Sequence, residues 1–310
     1  MRIKIVFVIS VLGMFLMSPL KGHAGSPFDS ASLLKVYEDS MRSLQYVRIN
    51  ARTDKEKDAA NTQLLNLMNK ALLLPGSFNY PFDSLRTIGK EMSPDRQFRL
   101  ITWDVPKSGC TFGYYGFIQS YNARKKKYDL FLLEDHSADF PNPKSATCTP
   151  AKWIGMLYYK IIKEKGSSMY TVLAWQGYNK LITRKVIDII TFSPEGVPTF
   201  GKPIFVKLPA SKGNPKRMIF EYSAQVSMSL QYDDSQKMIL FDRLAPTEEG
   251  LQGQHQYYGP SFDVDGLQWK NGTWNFVSNV EARNPSDTKE DAPQNSTHDA
   301  NKKVIYSTPH

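Results

Sequence analysis

The side chains of this chain that could do chemistry are mostly acidic and aromatic. Seven carboxylates stand out: Glu134, Asp135, Asp188, Glu221, Asp242, Asp263 and Asp265. A glycoside hydrolase needs one carboxyl as acid and a second facing the same bond, so any two of these that met across a cleft could supply that pair. Glu221 lies inside Met218-Ile-Phe-Glu221-Tyr222, where strand alternation sets it opposite Phe220 and toward water. The stretch from Gln254 to Trp269 gathers His255, Tyr257, Tyr258, Asp263, Asp265 and Gly266. Asp263-Val-Asp265-Gly266 begins as a calcium loop begins, but an EF-hand closes on a Glu, and position 274 is Trp. Two readings stay open for Asp263, Asp265, Tyr257 and Tyr258. One is a ligand or non-EF calcium loop. The other is an Asp-capped turn leading into a hairpin.

Other chemistries find no residues. The chain has no His-Glu-x-x-His zinc motif, no Gly-x-Ser-x-Gly elbow, no phosphate-binding Gly-rich loop with Lys and no dinucleotide fingerprint. Only His136 and His255 fall in the part expected to fold, which rules out a three-histidine metal site. His136, beside Glu134 and Asp135, reads as a surface residue. No cofactor is predicted, with calcium as the one alternative.

Asn271-Gly272 is a two-residue hairpin signal, because a type I′ turn needs positive φ at both positions. Lys270 then faces Thr273, Trp269 faces Trp274 and Leu267 faces Phe276. The Trp269–Trp274 pair reads first as core packing and second as an aromatic platform for a sugar ring.

The elements that must position these residues follow a leader. Arg2 and Lys4 precede the apolar run Ile5 to Met17, and Gly22-His23-Ala24 ends it: the pattern of a secretory signal peptide over residues 1–24. The run falls short of the ~20 residues that a spanning helix needs, and no cysteine lies nearby to carry a lipid. The expectation is an exported chain, periplasmic or extracellular, soluble and not a lipoprotein, with no transmembrane helix after cleavage. Without the three basic residues of the leader the formal charge falls from +9 to +6, which gives no reason to expect nucleic acid. Arg124 to Lys127 reads as a solvated hairpin tip. Cys110 and Cys148 are the only cysteines. In an exported chain they are expected to form a disulfide, worth about 3–4 kcal/mol on the chain-entropy model.

Residues 25–85 read as a helical segment. Asp29 and Ser30 cap a helix with Leu33, Tyr37, Met41 and Leu44 on one face, and Asp54 caps another with Leu64, Leu67, Met68, Ala71 and Leu72. From about residue 86 the period changes to 2, and short strand-like runs recur to residue 283 with turns between them. Thr183 to Ile190 fits either period. Residues 284–310 are polar and low in aromatics, which reads as a disordered tail. The fold class expected is α+β: a helical pair packed on a large, mainly antiparallel β-domain (meander, sandwich or barrel-like).

Over residues 90–283 the chain resembles a family of uncharacterised exported bacterial proteins. The resemblance rests on Ser93-Pro-Asp95 with Trp103-Asp104, Tyr170 to Trp175 with Gly177 and Asn179, and Lys185-Val-Ile-Asp188 with Phe192. It rests also on Lys216-Arg-Met-Ile-Phe-Glu221-Tyr-Ser223, Asp242-Arg-Leu-Ala-Pro246 and Tyr257-Tyr-Gly-Pro260 with Asp263 and Gly266. It implies export and one β-rich domain, and brings no activity or site residues. The function expected is that of a non-enzymatic exported binding or envelope-associated protein, with a glycan or cell-envelope component as partner. The alternative is a carboxylate-dependent hydrolase acting on glycan or cell-wall material.

Overall fold

The computed structural model describes residues 29–209 and 213–280. The leader and the C-terminal tail expected from the sequence lie outside the described residues.

Two helices come first, α1 (Ser30–Asn50) and α2 (Asp54–Leu72). Asp29 caps α1, its carboxylate accepting from the Ala31 amide. The cap of α2 is Thr53, one residue before the expected Asp54. Thr53 and Glu56 form a reciprocal capping box that satisfies two otherwise unpaired amides. The inward face of α1 is also rotated from the expected stripe. It buries Leu34, Glu38, Met41, Gln45 and Arg48. The three polar members bond to the segment that follows α2. Glu38 accepts from the Tyr80 hydroxyl at 2.6 Å and the Ser84 amide at 2.7 Å. Gln45 donates to the Ser84 carbonyl, and Arg48 to the carbonyls of Thr87 and Asp104.

Among the described residues, fourteen strands make three sheets. The first is an antiparallel meander of β1 (Gly89–Met92), β2 (Phe98–Pro106), β3 (Phe112–Asn122) and β4 (Lys127–Glu134). The basic run lies at the β3–β4 hairpin tip, as expected, with Arg124 to Lys126 in the turn and Lys127 opening β4. The second sheet holds β5 (Leu157–Ile162), β6 (Tyr170–Gly177), β7 (Ile182–Phe192) and β8 (Pro198–Phe200). The run from Thr183 is therefore strand. Strand β9 (Phe205–Val206) crosses to the third sheet, and β10 (Met218–Ser223) returns to the edge of the second beside β7. The third sheet is completed by β11 (Leu230–Asp233), β12 (Met238–Pro246), β13 (Tyr258–Lys270) and β14 (Thr273–Val277). All pairings are antiparallel except β9 with β14.

The sheets stack, and alternation along each strand decides which core a residue joins. Ile101, Trp103 and Phe117 of the first sheet pack against the helices. Phe98, Leu100 and Ile118, on its other face, meet Val172, Ala174, Val186 and Ile190 of the second. Leu173, Ile187 and Ile189, on the far face of the second, meet Ile239, Phe241, Leu267 and Trp274 of the third. The result is a four-layer α+β stack, with the second sheet buried on both faces.

The β12–β13 ladder shifts register between Asp242 and Leu244. Phe262 lies in this bulge, fully exposed and with φ 67°.

Candidate functional site

A cleft of about 380 Å³ opens where the start of β3, the end of β6 and the connection after β4 converge. Its walls carry Phe112, Tyr114, Asp135, Phe140, Tyr178 and Arg184. Two glycines allow this approach. A Cβ on Gly155 would lie 2.5 Å from the Asp135 carboxyl, and one on Gly177 would lie 2.4 Å from the Phe112 ring.

Strand register builds the polar side of the cleft. Gln176 of β6 and Glu221 of β10 both pair with Arg184 of β7, one on each side. The three side chains form a row across the sheet. Arg184 donates from Nη1 to Gln176 Oε1 at 3.2 Å, and from Nε and Nη2 to Glu221 Oε1 at 2.8 and 2.5 Å. Gln176 donates to the Gly155 carbonyl at 2.6 Å. At the other end of the row, His255 Nε2 lies 3.4 Å from Glu221 Oε2. The Tyr178 ring covers the guanidinium, with Arg184 Cζ 3.3 Å from its centroid. This stacked, hydrogen-bonded arginine is held rigidly.

Asp135 is saturated. Oδ1 accepts from the Ser137 amide at 3.0 Å, the Ser137 hydroxyl at 2.6 Å and the Gly155 amide at 3.2 Å. Oδ2 accepts from the Tyr114 amide at 3.3 Å. Tyr114 donates its hydroxyl to the Gly177 carbonyl at 3.1 Å, and burial pushes its phenol pKa up. The cleft thus presents fixed aromatic and polar groups, with its carboxylate engaged by four donors.

The loop expected at Asp263–Gly266 is strand instead, part of β13. The bulge aims Arg243 at both acids. Its Nε and Nη2 bond Asp265 Oδ2 and Oδ1 at 2.9 and 2.6 Å, and its Nη1 bonds Asp263 Oδ2 at 2.8 Å. Both carboxylates are therefore bonded to one guanidinium, and Arg243 Nη2 also donates to Asn279 Oδ1. Tyr257 is exposed, whereas Tyr258 packs toward the core between the second and third sheets and accepts from the Gly253 amide. The four residues do not converge on a ligand loop. Among the described residues, no cluster of three or more His, Cys, Asp or Glu is placed to hold a metal ion.

The hairpin register is as expected: Trp269 faces Trp274, with ring centroids 5.2 Å apart in an edge arrangement. Trp274 is wholly buried and donates from Nε1 to Thr171 Oγ1 at 2.8 Å. The pair packs with the core between the second and third sheets, and these two rings do not form a platform facing solvent.

The expected disulfide is absent: both thiols are free. Cys110 is exposed in the β2–β3 turn. Cys148 is buried in the core between the first and second sheets, its backbone bonded to Phe200 and its sulfur 3.6 Å from Arg217 Nη2. The two thiols thus lie in different surroundings, one in a solvent-facing turn and one in an interlayer core.

The other carboxylates are dispersed. Asp188 pairs with Arg217, Asp242 accepts from the Ser229 amide, and Glu134 ends β4 on the surface. His136 lies 2.9 Å from Asp139 and is partly exposed. Sequence reading singled out Asp135 of the cleft and Glu221, the partner of Arg184, but missed Gln176, Arg184 and the rings of Phe112, Phe140 and Tyr178. The one available signal was a charged residue near the start of an apolar run at 184. Compared with family models, curated proteins and solved structures, the chain finds no match in any of the three.

Proposed function

We propose that this is an exported, non-enzymatic binding protein whose ligand, a glycan of the cell envelope or its surroundings, sits in the cleft beside Arg184. The observation that carries the reading is the Tyr178–Arg184–Gln176 constellation, a pre-ordered polar row flanked by partly exposed rings. Sugars are bound by this combination: C–H faces stack on aromatic rings while hydroxyls meet fixed polar groups. Binding without turnover is favoured because Asp135 and Glu221 are committed. Asp135 already accepts four hydrogen bonds, and Glu221 holds Arg184. A carboxylate whose oxygens are already taken up by donors of its own chain is poorly placed to attack a ligand. Export is supported by the leader pattern Arg2, Lys4, Ile5 to Met17 and Gly22-His23-Ala24. No helix among the described residues is long and apolar enough to cross a membrane.

The test is calorimetric titration of the purified protein with soluble envelope oligosaccharides, alongside Tyr178→Ala and Phe140→Ala. Each variant is expected to weaken binding about tenfold, as loss of a contact ring does. Release of new reducing ends by the unaltered protein would favour the hydrolase instead. Fractionation of the producing cell, with N-terminal sequencing, tests export and cleavage before Gly25.

A further inference from the structure

A second concavity lies along β10 at the seam between the second and third sheets, and is independent of the glycan reading. Strand β10 is the sheet's outermost strand. Its Met218, Ile219 and Phe220, with Phe241 and Phe276 of the third sheet and Leu208, border a groove of about 360 Å³. The rings are close, with Phe220 and Phe241 centroids 4.7 Å apart and Phe241 and Phe276 6.4 Å apart. Phe220 and Phe276 are partly buried and Phe241 is buried beneath them, so the groove exposes apolar surface between two layers. An apolar surface of this kind at an inter-sheet seam is costly to leave in water and suited to an aliphatic chain.

The charge at the rim gives the ligand its sign. Two charged side chains line the groove, Lys144 and Arg217. Arg217 is neutralised by Asp188 at 2.9 Å. The Lys144 ammonium has no partner among the described residues, and its side chain is exposed at the mouth. Lys207 and Lys216 adjoin the lining residues Leu208 and Arg217 in the chain, Lys216 donating to Thr147 Oγ1. We propose that this groove binds the hydrocarbon tail of a monomeric anionic amphiphile, a long-chain carboxylate, with its head group at Lys144.

The experiment titrates the purified protein with octanoate, decanoate and dodecanoate below their aggregation limits, and with dodecanol. Affinity is expected to rise about fourfold for each methylene buried. Dodecanol is expected to bind about fivefold more weakly than dodecanoate, the scale of one surface ion pair. Lys144→Glu should weaken dodecanoate and leave dodecanol unchanged, while Leu208→Asp should weaken both. If Leu208→Asp fails to fold, the Lys144→Glu contrast between acid and alcohol decides alone. A flat chain-length series, or equal binding of acid and alcohol, overturns the proposal. So does recovery of the protein with anionic phosphatidylglycerol vesicles without binding of the soluble acids, or a ligand-free dimer that covers the groove.

Discussion

Arg217 and Asp188 form an ion pair sealed from solvent, with Nε 2.9 Å from Oδ2 and side chains 0% and 1% exposed. The pair joins more than two strands. Arg217 also donates to the carbonyls of Pro143 and Ala146 and lies against the Cys148 sulfur. One guanidinium therefore fastens the connection between the first and second sheets to β7.

Removing one partner should be far worse than removing both. Arg217→Met leaves a buried carboxylate without its counter-ion and is expected to cost about 3–5 kcal/mol. Asp188→Leu alone should cost a similar amount. The double replacement should cost clearly less than the sum of the two, which urea unfolding of all four proteins would measure.

Acid should loosen the attachment of α1. Burial alone would raise the Glu38 pKa, but hydrogen bonds from Tyr80 and Ser84 outweigh it and hold the carboxyl below its ordinary value. A lowered folded value means that the contribution is complete above the unfolded pKa and is lost as pH falls through the folded one. Asp95 behaves alike: burial raises it, yet bonds from Tyr170, Ser93 and Gln97, with Lys163 near, bring it down. Thermal midpoints should therefore fall below about pH 4.3, and Glu38→Gln should flatten that fall.

The two thiols should differ in reactivity. Burial pushes the Cys148 thiol up despite the opposing pull of Arg217, and thiolate is the reactive form. One equivalent of an alkylating reagent should add to the native protein, at Cys110, and two to the unfolded protein. Two equivalents in the native protein would contradict the burial of Cys148, and none without reductant would contradict the free thiols.

The tryptophans of the terminal hairpin should not be equivalent. Trp274→Ala removes a wholly buried ring and strands Thr171 Oγ1, at an expected cost of about 3–5 kcal/mol. Trp269→Ala, at the partly exposed position, should cost about 1–2 kcal/mol.

Phe262 offers a stabilising change. Its ring is in water and its backbone sits in the left-handed region, which penalises a side chain by about 1–2 kcal/mol. Phe262→Gly relieves that strain and loses no burial. After the entropy cost of glycine, a gain of up to about 1 kcal/mol is expected in urea unfolding.

Local chemistry in the sequence carried some elements fully and others not at all. Asn271-Gly272 set the β13–β14 register residue by residue, because turn type and loop length leave no choice. The helices were legible from caps and periodicity, although polar Glu38, Gln45 and Arg48 turned inward because the 77–88 segment offers them partners. Sheet membership was not legible. Nothing local to Gln176, Arg184 or Glu221 says that β7 runs between β6 and β10, and the cleft exists only through that order. Asp263 and Asp265 misled for the same reason: the arginine that answers them, Arg243, is on another strand.

The stacking order has a consequence for how the chain can assemble. Helices, first sheet, second sheet and third sheet follow one another along the sequence, each nearly finished before the next begins. Only β9 and β10 break the progression, trading places between the last two layers. Most strand pairings therefore join near neighbours in sequence, which shortens the loops to be closed in a β-rich protein. Each finished layer offers the next a ready apolar surface, so growth can advance from the N-terminal end like courses of brick. A fragment beginning at residue 86 would lack its footing: Ile101, Trp103 and Phe117 would face water.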